Sequence, residues 1–113
     1  FILNASGEFY EKKYFEFDYF NAMVVLAGLI CLRQRLEAAG QKGKLFWRVE
    51  HLRQIFSSYE YVSENPQLRR FRLCRGDALI FEVAWKFVYG TDTESDYQRL
   101  LQLEPRLRMS DDA

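Results

Sequence analysis

The side chains most often used in catalysis and metal binding are few and scattered in this chain. His51 is the only histidine, and no cysteine or cluster of acids lies near it in the sequence. A histidine that acts as a general base needs a carboxylate to orient it, but adjacent residues such as Glu50 and His51 point apart on a helix. The sequence therefore predicts no catalytic residue, no metal site, no cofactor and no small-molecule substrate, and it indicates a protein that is not an enzyme.

Two short motifs come closer to ligand binding and fail on spacing. Asp92, Glu94 and Asp96 alternate as calcium-loop ligands do, but the glycine and the distal glutamate of such a loop are missing. Residues 40–44, GQKGK, carry the lysine of a phosphate loop without the spacing of its glycines. Helix capping explains the acids, and a polar linker explains the lysines.

The densest charged feature is the segment 69–75, RRFRLCR, in which no acid interrupts the arginines. Arg69, Arg70, Arg72 and Arg75 could neutralise phosphates while Phe71 stacks on a base. Against a nucleic-acid function, the isoelectric point of about 6.8 is well below that of dedicated nucleic-acid binders. The same basic patch could instead contact an acidic protein partner or the acids of this domain itself.

The charges of the chain balance overall but not along its length. Sixteen Lys and Arg residues match sixteen Asp and Glu residues. Residues 33–75 hold ten of the basic and four of the acidic residues, a net of +6, so the remainder carries −6. These segments are expected either to neutralise each other in the fold or to offer a charged surface to a partner.

Aromatic residues are the second feature that indicates a partner. The chain has ten Phe, seven Tyr and two Trp residues, and seven of these aromatics fall within residues 9–20. One helix face cannot bury so many rings, and exposed aromatic groups are typical of contact sites. The alternative is that the rings cover a thin core. The predicted partner-binding residues are Tyr10, Tyr14, Phe15, Phe17 and Tyr19.

The two cysteines, Cys31 and Cys74, are too few for a disulfide framework, although a single bridge between them stays open. Cys31 lies in the apolar run 22–32 and is expected to be a buried, inert thiol. That run is also too short to cross a membrane. These features favour the cytoplasm or the nucleus, and the initial Phe1 fits a domain of a larger protein.

Hydrophobic periodicity predicts a mainly α fold, a compact bundle of about five helices with one short β-strand pair as an option. Residues 67–75 fit a short strand or a short helix. Near the N-terminus, the alternation within residues 15–19 is typical of a strand, but Ser6 as a cap and a stripe of Tyr10, Tyr14 and Phe17 favour a helix, which is the prediction for this segment. The other predicted helices cover about 19–39, 45–58, 77–89 and 93–105. The helix at 77–89 is apolar on most sides, and its stripe of Phe81, Trp85 and Val88 is expected to be buried.

Several finer expectations follow from these helices. The buried face of the helix at 45–58 is predicted to consist of Leu45, Val49, Leu52 and Phe56. Arg48, His51 and Arg53 lie off this stripe and should be largely solvated. Asp77 is predicted to cap the next helix, and Thr93 to form a capping box with Asp96. One domain is expected over residues 1–105, with a flexible tail over 106–113.

The sequence thus favours a non-enzymatic protein–protein interaction or assembly domain, a scaffold or adaptor that binds a protein partner or a second copy of itself. The alternative is a nucleic-acid-binding module that uses the central arginine cluster.

Overall fold

The computed structural model describes residues 10–58, 69–90 and 93–107. Four helices and one two-stranded antiparallel sheet lie within these ranges, which confirms the mainly α prediction and its optional strand pair; the helices number four rather than about five. In chain order the elements are β1 (Lys12–Phe17), α1 (Tyr19–Ala38), α2 (Lys44–Ser57), β2 (Arg69–Cys74), α3 (Asp77–Tyr89) and α4 (Glu94–Leu103), and a 3-10 turn (Glu104–Arg106) follows α4.

The helix predicted at the N-terminus is wrong, because residues 12–17 form β1. Phe15 and Phe17 turn inwards and are half-buried, whereas Tyr14 and Glu16 between them are exposed. The alternation of period two therefore outweighs the helical stripe, since only a strand places both phenylalanines on one face. The predicted cap, Ser6, lies outside the described residues.

β1 pairs with β2, which follows it in the chain by more than fifty residues. The register sets Tyr14 opposite Arg72, Phe15 opposite Phe71 and Glu16 opposite Arg70. The segment 67–75, whose sequence fits either a short strand or a short helix, therefore contains a strand. Its pairing with β1 depends on a long-range contact, which local propensity does not encode.

Five phenylalanines join the sheet to the helices beneath it, and we call them the phenylalanine cluster. The Phe56 ring stacks on Phe71 with centroids 4.4 Å apart, and Phe17 lies edge-on to Phe56 at 5.4 Å. Phe81 closes the cluster at 5.1 Å from Phe15 and 5.5 Å from Phe17. Offset and edge-to-face contacts of this kind are the favoured geometries of buried aromatic rings.

α1 packs tightly against the backbone of α3 at Gly28. A Cβ atom at this position would lie 1.8 Å from the carbonyl oxygen of Ala84, so no other residue fits without moving the helices apart. Asp18 caps α1 by accepting a hydrogen bond from the amide of Asn21 at 2.7 Å. The glycine thus sets the spacing of the two helices that support β1.

α2 confirms the predicted apolar stripe, because Leu45, Val49, Leu52 and Phe56 are all buried. The expectation of a solvated Arg48 is wrong. Arg48 is 1% exposed and faces Asp77, which is equally buried. Pairing with a carboxylate from another element makes this burial possible, and a sequence stripe cannot anticipate it.

The predicted caps differ from the structure in two places. Gly76, rather than Asp77, is the N-cap of α3, and the Asp77 side chain instead binds Arg48. Thr93 precedes α4 without a side-chain capping bond. Asp96 accepts a hydrogen bond from Lys86 at 2.9 Å, and this bond lowers the pKa of Asp96. Tertiary ion pairs thus take the place of both local caps.

Two further features concern the cysteines and the chain end. Cys31 is exposed, which corrects the expectation of a buried thiol, whereas Cys74 is buried; neither forms a disulfide. Leu107 is buried, and the Arg106 carbonyl accepts a hydrogen bond from the Tyr10 hydroxyl, so both residues pack with the domain. The rest of the predicted tail, 108–113, lies outside the described residues.

Candidate protein-interaction surface

The five aromatic residues predicted to bind a partner do not share one surface. Tyr14 is 59% exposed on the outer face of the sheet, and Tyr19 is exposed at the start of α1. Phe15 and Phe17 belong to the phenylalanine cluster, and Tyr10 is half-buried against the C-terminal turn. Strand alternation therefore divides the predicted set between the core and two separate exposed positions.

The outer face of the sheet brings Tyr14 together with two of the predicted arginines. Arg72 lies directly opposite Tyr14, and the Arg70 guanidinium sits 5.5 Å from the centre of the Tyr14 ring. Arg70 also donates two hydrogen bonds to Glu16, at 3.0 and 2.7 Å. The other two predicted arginines lie elsewhere: Arg69 is half-buried opposite Phe17, and Arg75 is 3.8 Å from Glu11.

An open apolar cavity of about 350 Å³ lies between β1, α1 and α3. Its apolar walls are Phe15 and Phe17 of β1, Val25 of α1, and Ala78, Phe81 and Trp85 of α3. Because successive strand residues point to opposite faces, a cavity lined by Phe15, Glu16 and Phe17 must follow the edge of β1. We call it the β1 groove.

Two exposed acids complete the lining of the β1 groove. Glu16 contributes from β1 and Glu82 from α3, and both side chains are at least 42% exposed. Each already has a basic neighbour within the chain, Arg70 for Glu16 and Lys86 for Glu82. The groove is thus an apolar trough with a polar margin, the usual arrangement of a contact surface.

Three exposed rings extend the groove along α1 and α3. Phe20 is 61% exposed, Trp85 42% and Tyr89 50%. Ring centroids are 4.8 Å apart for Trp85 and Tyr89, and 6.5 Å apart for Phe20 and Tyr89. We call these residues the aromatic patch. Since Trp85 belongs to both the patch and the groove, the two form one continuous surface.

Sequence reasoning assigned Trp85 and Val88 to a buried stripe of α3 and did not single out this surface. Val88 is in fact 41% exposed beside Tyr89. The sequence feature that could have indicated this surface is that α3 is apolar on most of its sides. A domain with few helices cannot cover such a helix completely, so part of its apolar surface stays exposed.

A second cavity, about 250 Å³, lies on α2 against Trp47, Glu50, His51 and Gln54. The pKa of Glu50 falls from 4.5 to about 2, chiefly because Glu50 accepts hydrogen bonds from Arg53, with Gln54 and Arg33 adding to the effect against the opposing desolvation. Glu50 is therefore a carboxylate held by ion pairs, not a poised acid. Within the described ranges, no group of three or more His, Cys, Asp or Glu residues is placed to hold a metal ion.

The basic segment 33–75 is tied to acids outside it. Arg35 pairs with Glu94, Arg48 with Asp77 and Arg70 with Glu16. Arg75 lies near Glu11 in the same manner. In the described part of the chain, the opposite charges of the two segments therefore meet across the fold rather than gathering on one face.

No family model, curated protein sequence or solved structure matches this chain. Among the residues that the structure describes, no helix has the length and apolar character needed to cross a membrane.

Proposed function

We propose that this domain is a non-enzymatic protein-interaction module whose contact surface is the β1 groove together with the aromatic patch. The observation that carries the proposal is their continuity through Trp85, which lines the apolar trough and joins it to the exposed rings of Tyr89 and Phe20. Exposed apolar surface costs free energy in a free domain, and contiguous patches of it usually mark a binding site. Trp and Tyr are also the residues most enriched among interface hot spots.

The domain acts in this proposal as a scaffold or adaptor within a larger assembly. Neither cysteine forms a disulfide, which supports a reducing compartment such as the cytoplasm or the nucleus.

The test is a selection of random displayed peptides against the purified domain, followed by affinity measurements on variants. Selected peptides should bind the wild type and lose at least about tenfold in affinity to Trp85→Ser and to Phe20→Ser. The matched control is Trp47→Ser, because Trp47 is a tryptophan of similar exposure, 48%, that lies on α2 and does not line the β1 groove. Circular dichroism verifies that all variants remain folded.

Selected peptides that bind Trp85→Ser and Phe20→Ser as well as the wild type would contradict the proposal. An equal loss in Trp47→Ser would do the same, since it would show general adhesion to exposed rings.

A nucleic-acid function is the second candidate, and one observation favours it. The exposed Tyr14 ring lies on a sheet face beside the guanidinium groups of Arg70 and Arg72, a combination that suits stacking on a base next to phosphates. Lys12 adds a further positive charge to this face, and the carboxylate of Glu16 neutralises one of the positive charges. The face is therefore only weakly basic.

The nucleic-acid candidate is tested by titration of labelled single-stranded and double-stranded oligonucleotides at low and moderate salt. It requires affinity for single strands that falls steeply with salt and weakens in Tyr14→Ala and Arg72→Ala. Arg99→Ala on α4 is the control for a general loss of charge. Absence of binding at low salt would eliminate this candidate and leave the protein-interaction proposal unaffected.

A further inference from the structure

The hydrogen-bond pattern of the sheet determines which backbone groups face its outer edges. The Arg75 amide donates to the Glu11 carbonyl at 2.7 Å, so Glu11 and Arg75 form a hydrogen-bonded pair. In an antiparallel ladder such pairs alternate with non-bonded ones. The odd-numbered residues of β1 therefore bond to β2, while Tyr14 and Glu16 direct their amide and carbonyl groups to the opposite edge.

Among the residues that the structure describes, none pairs with this edge of β1. Within residues 10–58, 69–90 and 93–107, β1 has β2 as its one neighbour in the sheet, and no backbone hydrogen bond to Tyr14 or Glu16 is formed on the outer side. An edge of this kind is a template for a further strand. The β1 groove runs along it, so an added strand would also cover apolar surface.

The sequence of β1, KKYFEF, is complementary to itself when a second copy runs antiparallel to it. Residues with outward backbone groups must face one another, and the register centred on Tyr14 satisfies this condition. That register sets Lys12 of each copy opposite Glu16 of the other, on the face that also carries Tyr14. Opposite charges at facing positions stabilise a strand pair, whereas like charges oppose it.

β2 lacks this complementarity. Its sequence, RRFRLC, contains no acid, and the residues at its outer edge include Arg70 and Arg72. Two β2 strands that paired with each other would bring arginines together without a compensating acid. Charged side chains of one sign protect an edge against pairing. The two edges of the sheet therefore differ, and self-pairing is favoured at β1.

We propose that the chain forms a two-fold symmetric dimer in which the β1 strands of two copies pair antiparallel about Tyr14, giving one four-stranded sheet in the order β2-β1-β1-β2. The inference rests on the proposed function, because the second copy is then the partner that covers the β1 groove. A two-fold interface of this type closes on itself and does not propagate. The zero formal net charge of the chain removes long-range repulsion between copies.

The first test is sedimentation equilibrium of the purified chain over a range of concentrations, with Tyr14→Pro and Tyr14→Ala as a matched pair. Proline at position 14 removes an amide hydrogen that points to the open edge and none that bonds to β2. Tyr14→Pro should therefore shift the chain to monomer, with at least about a tenfold rise in the dissociation constant. Tyr14→Ala removes the ring alone and should retain the dimer.

The second test examines the register by charge exchange and does not depend on proline. Lys12→Glu and Glu16→Lys each set like charges opposite one another at both ends of the paired strands and should weaken the dimer about tenfold. The double variant Lys12→Glu/Glu16→Lys restores opposite charges and should regain most of the affinity. Circular dichroism and thermal unfolding confirm that each variant is folded.

Three outcomes would overturn the inference. The first is a wild-type chain that stays monomeric at every concentration, and the second is a dimer in which the double variant is no stronger than the single ones. The third is a dimer that survives Tyr14→Pro but is lost in Trp85→Ser, which would assign association to the helices. A monomeric chain whose selected peptides still require Trp85 would refute the dimer and leave the proposed function standing.

Discussion

Among individual residues, Arg48 and Asp77 have the least exposed charges in the described part of the chain. The Arg48 guanidinium donates from Nε to Asp77 at 2.9 Å and makes a second hydrogen bond from Nη2 to the other carboxylate oxygen. Such bidentate geometry compensates much of the cost of removing both charges from water. The pair joins α2 to the first turn of α3, so it fixes the relative position of two elements that support the sheet.

We predict that removing one member of this pair destabilises the domain more than removing both. Asp77→Ala leaves the Arg48 charge buried without its carboxylate and should lower the free energy of unfolding by about 3–5 kcal/mol. The double variant Arg48→Met/Asp77→Leu replaces the charges by apolar groups and should be less destabilised than Asp77→Ala. Urea unfolding measures both, and a double variant that is destabilised as much as Asp77→Ala or more would refute the prediction.

Glu50 gives the domain an acid-sensitive contribution to stability. Its pKa in the folded chain, about 2, is below the usual 4.5, chiefly because of the hydrogen bonds from Arg53. The ionised form therefore stabilises the fold above about pH 4.5, and this contribution is lost as the pH falls from 4.5 towards 2.

Glu50→Gln should accordingly show a smaller loss of unfolding free energy between pH 4.5 and pH 2 than the wild type. The control is Glu37→Gln, since Glu37 contacts Arg33 and Lys42 at the longer distances of 3.5 and 3.6 Å and should change the acid limb less. Denaturant unfolding at several pH values between 4.5 and 2 measures how steeply the free energy of unfolding falls with pH. Identical slopes for the wild type and Glu50→Gln would disprove the assignment.

At the scale of elements, the crossing of α1 and α3 depends on the absence of a side chain at Gly28. Gly28→Ala should force the helices apart and lower the free energy of unfolding by about 1–3 kcal/mol, although alanine is the better helix former. Gln34→Ala, at an exposed position of the same helix, should cause no comparable loss. Thermal unfolding of the wild type and the two variants tests this prediction. A Gly28→Ala variant as stable as the wild type would show that the crossing of α1 and α3 tolerates a methyl group.

β1 shows how a long-range contact selects between two local patterns. The residues 10–17 carry both a helical stripe and a strand alternation, and each pattern by itself is reasonable. Pairing with β2 buries Phe15 and Phe17 beside Phe71, and no single helix could offer both rings to that site. The element type is therefore decided by the partner strand, not by the segment itself.

For the whole molecule, the phenylalanine cluster links the sheet to α2 and α3, so the domain should unfold as one unit. Phe56→Ala removes a fully buried ring that contacts Phe17, Phe71 and Phe81, and it should lower the free energy of unfolding by about 3–5 kcal/mol. Far-ultraviolet circular dichroism and tryptophan fluorescence should shift together, because helices and sheet lose the same support.

The control for this prediction is Phe20→Ala, which truncates an aromatic ring that is 61% exposed and should alter stability by less than about 0.5 kcal/mol. Separate transitions for the two spectroscopic probes in Phe56→Ala would show that the sheet and the helices are independent units.

The sequence by itself determined the features that arise from short-range pattern. Periodic apolar residues with Gly40 and Gly90 near the helix ends specified α1, α2 and α3 to within about a turn, and the stripe of Leu45, Val49, Leu52 and Phe56 was predicted as buried. The uneven charge distribution was visible as well. These properties depend on residues close together in the chain, so they can be read without knowledge of the fold.

Only the tertiary structure decided what distant segments do to one another. It turned Phe15 and Phe17 into core residues, buried Arg48 against Asp77, and left Cys31 and Trp85 exposed on helices that looked apolar on most sides. It also divided the arginines of 69–75 between the two faces of a strand. The physical reason is that burial and pairing are set by which surfaces meet, and in this chain the meeting surfaces come from segments that are far apart in the sequence.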